Sequence, residues 1–167
     1  MSIFANIPRG AAVFVDANSL VHHFTNHPTL GAASTDLLER MERQEFTGYT
    51  SATVLGELSH RLMTVEAVSV FGWPYQGIAN RLRRRPADVQ QLARYRQAID
   101  ELAAIPIQIL PITGSFVSLA ADVTKQYGLL TNDALIVVVM QNNGLSHLAS
   151  NDSDFDRVTG LIRYSAI

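Results

Sequence analysis

The first apolar run, Ala-Ala-Val-Phe-Val at residues 11–15, stops abruptly at Asp16. A run apolar on both faces reads as a strand buried between layers. Asn-Ser-Leu-Val-His-His-Phe at 18–24 then reads as the start of a helix, with Asp16 or Asn18 available to cap it. Leu37, Leu38 and Met41 share one face of a second helix, and residues 46–51 read as a short strand ending in Thr50 and Ser51. Helical spacing resumes with Val54, Leu55, Leu58 and Leu62, capped by Ser51 or Thr53. Residues 68–77 break that pattern, and Gly72, Pro74 and Gly77 make a turn there. Residues 78–85 and 86–105 predict a helical pair, with Pro86 in a first turn and Val89, Leu92, Tyr95, Ile99 and Leu102 as an apolar stripe. A short strand between prolines follows, then an amphipathic helix stopped by Gly128. Residues 131–143 predict a strongly apolar helix with Thr131 or Asn132 at its cap. His-Leu-Ala-Ser at 147–150 predicts a strand, an acidic loop follows it, and residues 161–167 close the sheet.

Strands thus alternate with helices, which predicts an α/β fold: an α/β/α sandwich around a central, mainly parallel sheet, with an extended helical segment at about 65–104. No linker, repeat or low-complexity stretch divides the 167 residues, so the chain reads as a single domain over 1–167, long enough for a sizeable core. The residues are 47% hydrophobic, which disfavours a disordered peptide. No apolar stretch approaches the length of a membrane span, and the first ten residues lack the flank and apolar region of a signal peptide. A soluble, cytoplasmic protein with no membrane partner is therefore expected. Zero cysteines exclude disulfides and thiolate metal sites and leave oxygen and imidazole ligands for any metal chemistry.

The formal charge of −2 argues against a uniformly basic surface, yet the charge is uneven. Seven basic residues lie between Arg61 and Arg96 against only Glu66 and Asp88, so that stretch carries about +5. Lys125 is the only lysine, and arginine's planar fork suits phosphate. Arg81, Arg83, Arg84 and Arg85 are accordingly candidates for an RNA-backbone patch, weighed against simple solvation of a helix end. Trp73 and Tyr75 nearby could stack bases, although aromatics are more commonly buried.

Sites in open parallel sheets form beyond the carboxyl ends of the strands, where strand order reverses. Asp16 ends the first predicted strand, and Asp152 and Asp154 follow the strand at 147–150. Glu57 falls in the second turn of one helix and Asp133 in the first turn of another, and both helix starts face that edge. Glu39, Glu42, Glu45, Asp100 and Glu101 fall instead on polar helix faces. Crowded carboxylates repel one another unless protons or cations offset them. Oxygen ligands suit Mg²⁺ or Mn²⁺, which can polarise a phosphodiester and activate water.

The ordered set VFVDANSL, TVLGELSHRL, TNDALIVVV and LASNDSDFDRV resembles the PIN domain, the nuclease family that includes the VapC toxins of bacterial toxin–antitoxin pairs. No single motif is specific, but the four in order are. By that resemblance Asp16, Glu57, Asp133 and Asp152 match the family's catalytic, metal-holding acids. Asp154 matches the supporting acid and Ser150 the hydroxyl before the loop, with Asn18 orienting ligands or substrate. It implies metal-dependent RNA cleavage and, for a toxin, a homodimer with a cognate antitoxin whose tail occupies the groove. The helical segment at 65–104 departs from shorter members. An RNA-maturation or quality-control nuclease without antitoxin, or a noncatalytic module binding RNA or protein, are the alternatives. The Glu57 and His60 spacing resembles a di-iron motif, but no second such motif accompanies it. His22, His23 and His27 read as surface or groove-edge residues.

Overall fold

A computed structural model describes residues 2–167. Six strands form one sheet: β1 (Ser2–Ile3), β2 (Ala12–Val15), β3 (Thr47–Ser51), β4 (Ile107–Leu110), β5 (His147–Ala149) and β6 (Ile162–Ser165). Their order is β1-β6-β5-β2-β3-β4, and every pairing is parallel. Helices α1 (Ala17–Phe24) and α2 (Gly31–Glu42) connect β2 to β3. Between β3 and β4 come α3 (Ala52–Phe71), α4 (Ile78–Arg83), α5 (Pro86–Val89) and α6 (Arg94–Ala104). The pair α7 (Gly114–Tyr127) and α8 (Thr131–Asn142) leads from β4 to β5.

Right-handed crossovers explain the layers. The chain steps outward from β2 to β3 to β4, then returns to lay β5 on the other side of β2. Reversing direction with one handedness puts the connecting helices on opposite faces. The packing agrees: α1 lies against α2 and α3, and α3 against α6, while α7 packs on α8. The order reverses between β2 and β5, so the crevice beyond their carboxyl ends is the topological switch point. Val13, Phe14 and Val15 are wholly buried there, as is Leu148 opposite Phe14. Residues 134–140 of α8 are buried all round, which accounts for a helix without a polar face.

The sequence expectations hold for the α/β/α layering and differ in four places. Residues 68–71 continue α3 instead of joining the turn, and the stop comes at Gly72, whose φ of 63° supplies the left-handed residue that ends a helix. The expected long helix after Pro86 is two helices. Glu66 of α3 is the cause: its buried carboxylate accepts from the backbone N–H groups of Ala93 and Arg94 at 3.0–3.1 Å and starts α6 afresh. Neither Thr131 nor Asn132 caps α8; Leu130 occupies the cap position in extended conformation, which moves Asp133 to the third helical position. The amino-terminal residues add the strand β1 beside β6.

The segment at 65–104 carries its own apolar cluster. Ala67, Ile78, Leu82 and Leu92 are buried together, with Phe71 and Trp73 packed against them. Among the described residues no helix is long and apolar enough to cross a membrane.

Candidate active site

The carboxylate of Asp16 sits at the end of β2 and is only 6% exposed. One oxygen caps α1 by accepting from Ala17 N–H at 2.6 Å. The other accepts from Asn18 Nδ2 at 2.6 Å and from the Ser150 hydroxyl at 2.7 Å. Cap and site residue are therefore one side chain, because a helix that starts where the strand ends leaves its N–H groups facing the crevice. Asn18 Nδ2 also donates to Ser150 Oγ at 3.0 Å, and Asn18 Oδ1 accepts from Asn151 N–H at 3.1 Å. Asn18 and Ser150 thus tie β2 to the loop after β5.

That loop is shaped by its own acids. Asp152 N–H donates to Ser150 Oγ at 3.1 Å, and Asp152 Oδ1 accepts from Asp154 N–H at 2.9 Å, which starts a short 3-10 turn at Ser153–Arg157. Asp154 is paired with Arg157 at 2.7 Å. Glu57 lies on α3, whose start Ser51 caps through Val54 N–H, and pairs with Arg61 at 3.6 Å. Asp133 lines an open cleft with Glu57, Leu130, Thr131 and Asn132. Leu130 is 76% exposed at the rim.

These acids feel one another. Burial pushes the Asp16 carboxyl up to about 6 against the hydrogen bonds from Ser150 and Ala17, and the charges of Glu57 and Asp133 push the same way. Asp133 is also raised to about 6, first by burial and then by Asp152, Glu57 and Asp154. The crevice therefore holds more negative charge than its own cations offset. Such a donor set, all oxygen, suits a hard divalent cation. Among the described residues no three Asp, Glu or His side chains are already gathered around one point. An ion at this edge would share these carboxylates with water or substrate oxygens, as Mg²⁺ commonly does.

Of the five predicted acids, Asp16 feels the charges of Glu57 and Asp133, and Asp133 those of Glu57, Asp152 and Asp154, which puts them along one edge without three converging on one point. Of the arginines, Arg81, Arg84 and Arg85 line a separate hollow with Gly77 and Asn80, while Arg83 does not join it. His60 is exposed and takes no part.

Two supports escaped the sequence reading. Arg163 of β6 is buried, donates to Ser150 O at 3.1 Å and forks onto Asp156 at 2.7 and 2.8 Å, so it pins the acidic loop from beneath. An arginine in the middle of a short predicted strand is the signal that could have found it. The second is Asn151, whose Oδ1 accepts from Ala166 N–H at 2.8 Å. That bond orients its amide so that Nδ2 donates to His22 Nδ1 at 3.3 Å, which leaves the imidazole proton on Nε2. Burial, and the neighbouring charges of His27 and Arg61, hold His22 below the ordinary histidine range. His22 is half-buried, with its ring 4.8 Å from that of His27.

A family model described as "PIN domain" matches residues 13–161. The chain is similar to "Ribonuclease VapC2" of Methanocaldococcus jannaschii, 26% identical over 151 residues, covering 87% of this chain and 88% of the relative. "Ribonuclease VapC6" of the same organism is 36% identical over 64 residues, 38% of this chain and 42% of the relative. Among solved structures, VapBC2 from Rickettsia felis, bound to a DNA fragment from its promoter, aligns with a TM-score of 0.59 at 18% identity. That alignment covers 92% of this chain and 98% of the other. VapC20 of Mycobacterium tuberculosis, described as a sarcin-ricin-loop-cleaving toxin, aligns with a TM-score of 0.61 at 16% identity, covering 86% and 92%.

Proposed function

The chain belongs to the PIN-domain family, and from that membership we propose that it is a metal-dependent endoribonuclease, the toxin of a toxin–antitoxin pair. The observation that carries the reading is the crevice between β2 and β5, where burial, together with the charges of acids from neighbouring segments, raises the proton affinity of Asp16 and Asp133. The similarity to a VapC ribonuclease over most of both chains, and to solved VapBC proteins, supports the substrate class and the antitoxin.

Asp16, Glu57, Asp133 and Asp152 would hold Mg²⁺ or Mn²⁺, with Asp154 in support. Arg157 already balances Asp154, which favours Asp152 as the direct ligand. When bound, the ion supplies polarisation of the phosphodiester and a lowered pKa for the attacking water. The chain's own groups do the rest. Ser150 and Asn18 hold the Asp16 carboxylate in one rotamer, and Asn18 also keeps the Ser150–Asp154 loop against α1. The starts of α1 and α8 point their free N–H groups at the same edge, which favours substrate phosphate as well as ionised acids. A homodimer, and occupation of the groove by the antitoxin, belong to the same proposal.

Incubation of the purified protein with single-stranded and structured RNA, with Mg²⁺ or with EDTA, tests the reading. Cleavage should require the metal, and Asp16→Asn should reduce the rate by about 100-fold or more, since one side chain serves both the ion and the helix cap. Equal rates for wild type and Asp16→Asn would refute it. Sequencing the RNA ends made on brief expression would identify the target, and rescue of growth by a small upstream reading frame would identify the antitoxin.

A further inference from the structure

We propose that the hollow on α4 lined by Gly77, Asn80, Arg81, Arg84 and Arg85 is a second RNA contact, one that grips backbone phosphates away from the acid crevice. This rests on the ribonuclease reading and extends it to how the substrate strand is held. The hollow has a volume of about 620 Å³, and its lining contains three guanidinium groups, one amide, one glycine and no acid. Arg85 has a loose pair with Asp88 at 3.5 Å, and neither Arg81 nor Arg84 has a salt bridge among the described residues. Like charges held together are costly unless an anion completes them.

The arrangement is built into the fold. The guanidinium carbons of Arg81 and Arg85 each stand 5.3 Å from the Trp73 ring centroid, so one indole holds two cations in place. Trp73 itself lies 4.6 Å from the Phe71 ring, and both pack on the cluster of Ala67, Ile78, Leu82 and Leu92. The Trp73 ring, one of two that could have stacked a base, is occupied instead by arginine and by its apolar neighbours. Tyr75 is free for that role: it is 65% exposed in the loop that enters the hollow at Gly77.

Phosphate fits this lining better than a protein surface does. Planar guanidinium forks match phosphate oxygens, whereas protein partners anchor in pockets with apolar walls, and no apolar side chain lines the hollow. Distance then assigns a role. Ala67, on which α4 packs, lies ten residues beyond Glu57, or about 15 Å along α3. A phosphate in the hollow therefore belongs to a nucleotide well removed from the scissile bond.

The test uses the cleavage-dead Asp16→Asn chain, so that binding is read without hydrolysis. Its affinity for polyuridylate is measured by fluorescence anisotropy across a salt series, alone and with Arg81→Gln, Arg84→Gln and Arg85→Gln added. Removing three phosphate contacts should lower the salt slope by about 2 and weaken binding at low salt by at least about tenfold. An equal loss of charge placed elsewhere, Arg9→Gln with Arg43→Gln and Arg96→Gln, should change both much less. Unchanged affinity in the first triple variant, or equal effects of the two, would overturn the second contact while leaving the ribonuclease reading intact. Loss of antitoxin binding with unchanged RNA affinity would likewise overturn it and assign the hollow to a protein. Failure of the wild type to cleave or bind any RNA would instead overturn the ribonuclease reading itself.

Discussion

Both carboxylate oxygens of Asp16 are already hydrogen-bonded within the fold, and that fixes how nearby residues act. Ser150 and Asn18 work on Asp16 directly, and Arg163 works on Ser150 through its carbonyl. Arg163→Met removes a buried donor to that carbonyl and should cost about 1–3 kcal/mol, read by urea denaturation. Because the same loop carries Asp152, divalent-cation affinity measured by calorimetry should fall by about 10- to 100-fold, as it does when the groups that orient ligands are lost. Arg163→Lys keeps a charge but not the fork, so it should restore stability more than affinity. A merely structural arginine would show stability and affinity falling and recovering together.

At the scale of elements, what the sequence reveals follows the range of the signal. Asp16, Glu57 and Asp133 were legible because a strand end and two helix starts are local patterns, and the parallel sheet then converges them. Gly72 and Gly128 end their helices for an equally local reason. The break between α5 and α6 was not legible. Its cause is Glu66, 27 residues before Ala93, and nothing near Ala93 announces that another helix will satisfy its N–H. The pairing of Arg163 with Ser150 is likewise formed only once β6 lies beside β5. Glu66→Ala should therefore expose the first turn of α6. Stability should drop by about 1–3 kcal/mol, because two backbone donors lose the carboxylate that accepts from them. Hydrogen exchange should show the loss of protection concentrated at Ala93 and Arg94, with the β2–β5 crevice unaffected. Glu66→Gln retains an acceptor oxygen and should recover part of the protection.

For the whole molecule, the crevice that makes the site also sets how stability depends on pH. Asp16 and Asp133 in the folded chain take up protons at about 6, against an ordinary value of 3.8. Between those values the folded state binds more protons than the unfolded state, so stability falls as pH rises through that window and then levels. For buried Asp16 the loss is at most about 3 kcal/mol, and half-exposed Asp133 adds less. Glu45 and Asp156 have the opposite sign, since arginines hold both below the ordinary range, and their contributions change at lower pH. Thermal melts in EDTA should therefore show a falling midpoint from about pH 4 to about pH 6, and Asp16→Asn should flatten that fall. A divalent cation binds the ionised acids and should raise the midpoint at pH 7 while doing little at pH 4. A pH-independent cation effect would mean that the ion stabilises the fold from outside the crevice. A rise confined to neutral pH and absent in Asp16→Asn would tie the ion to the same carboxylates that destabilise the metal-free chain.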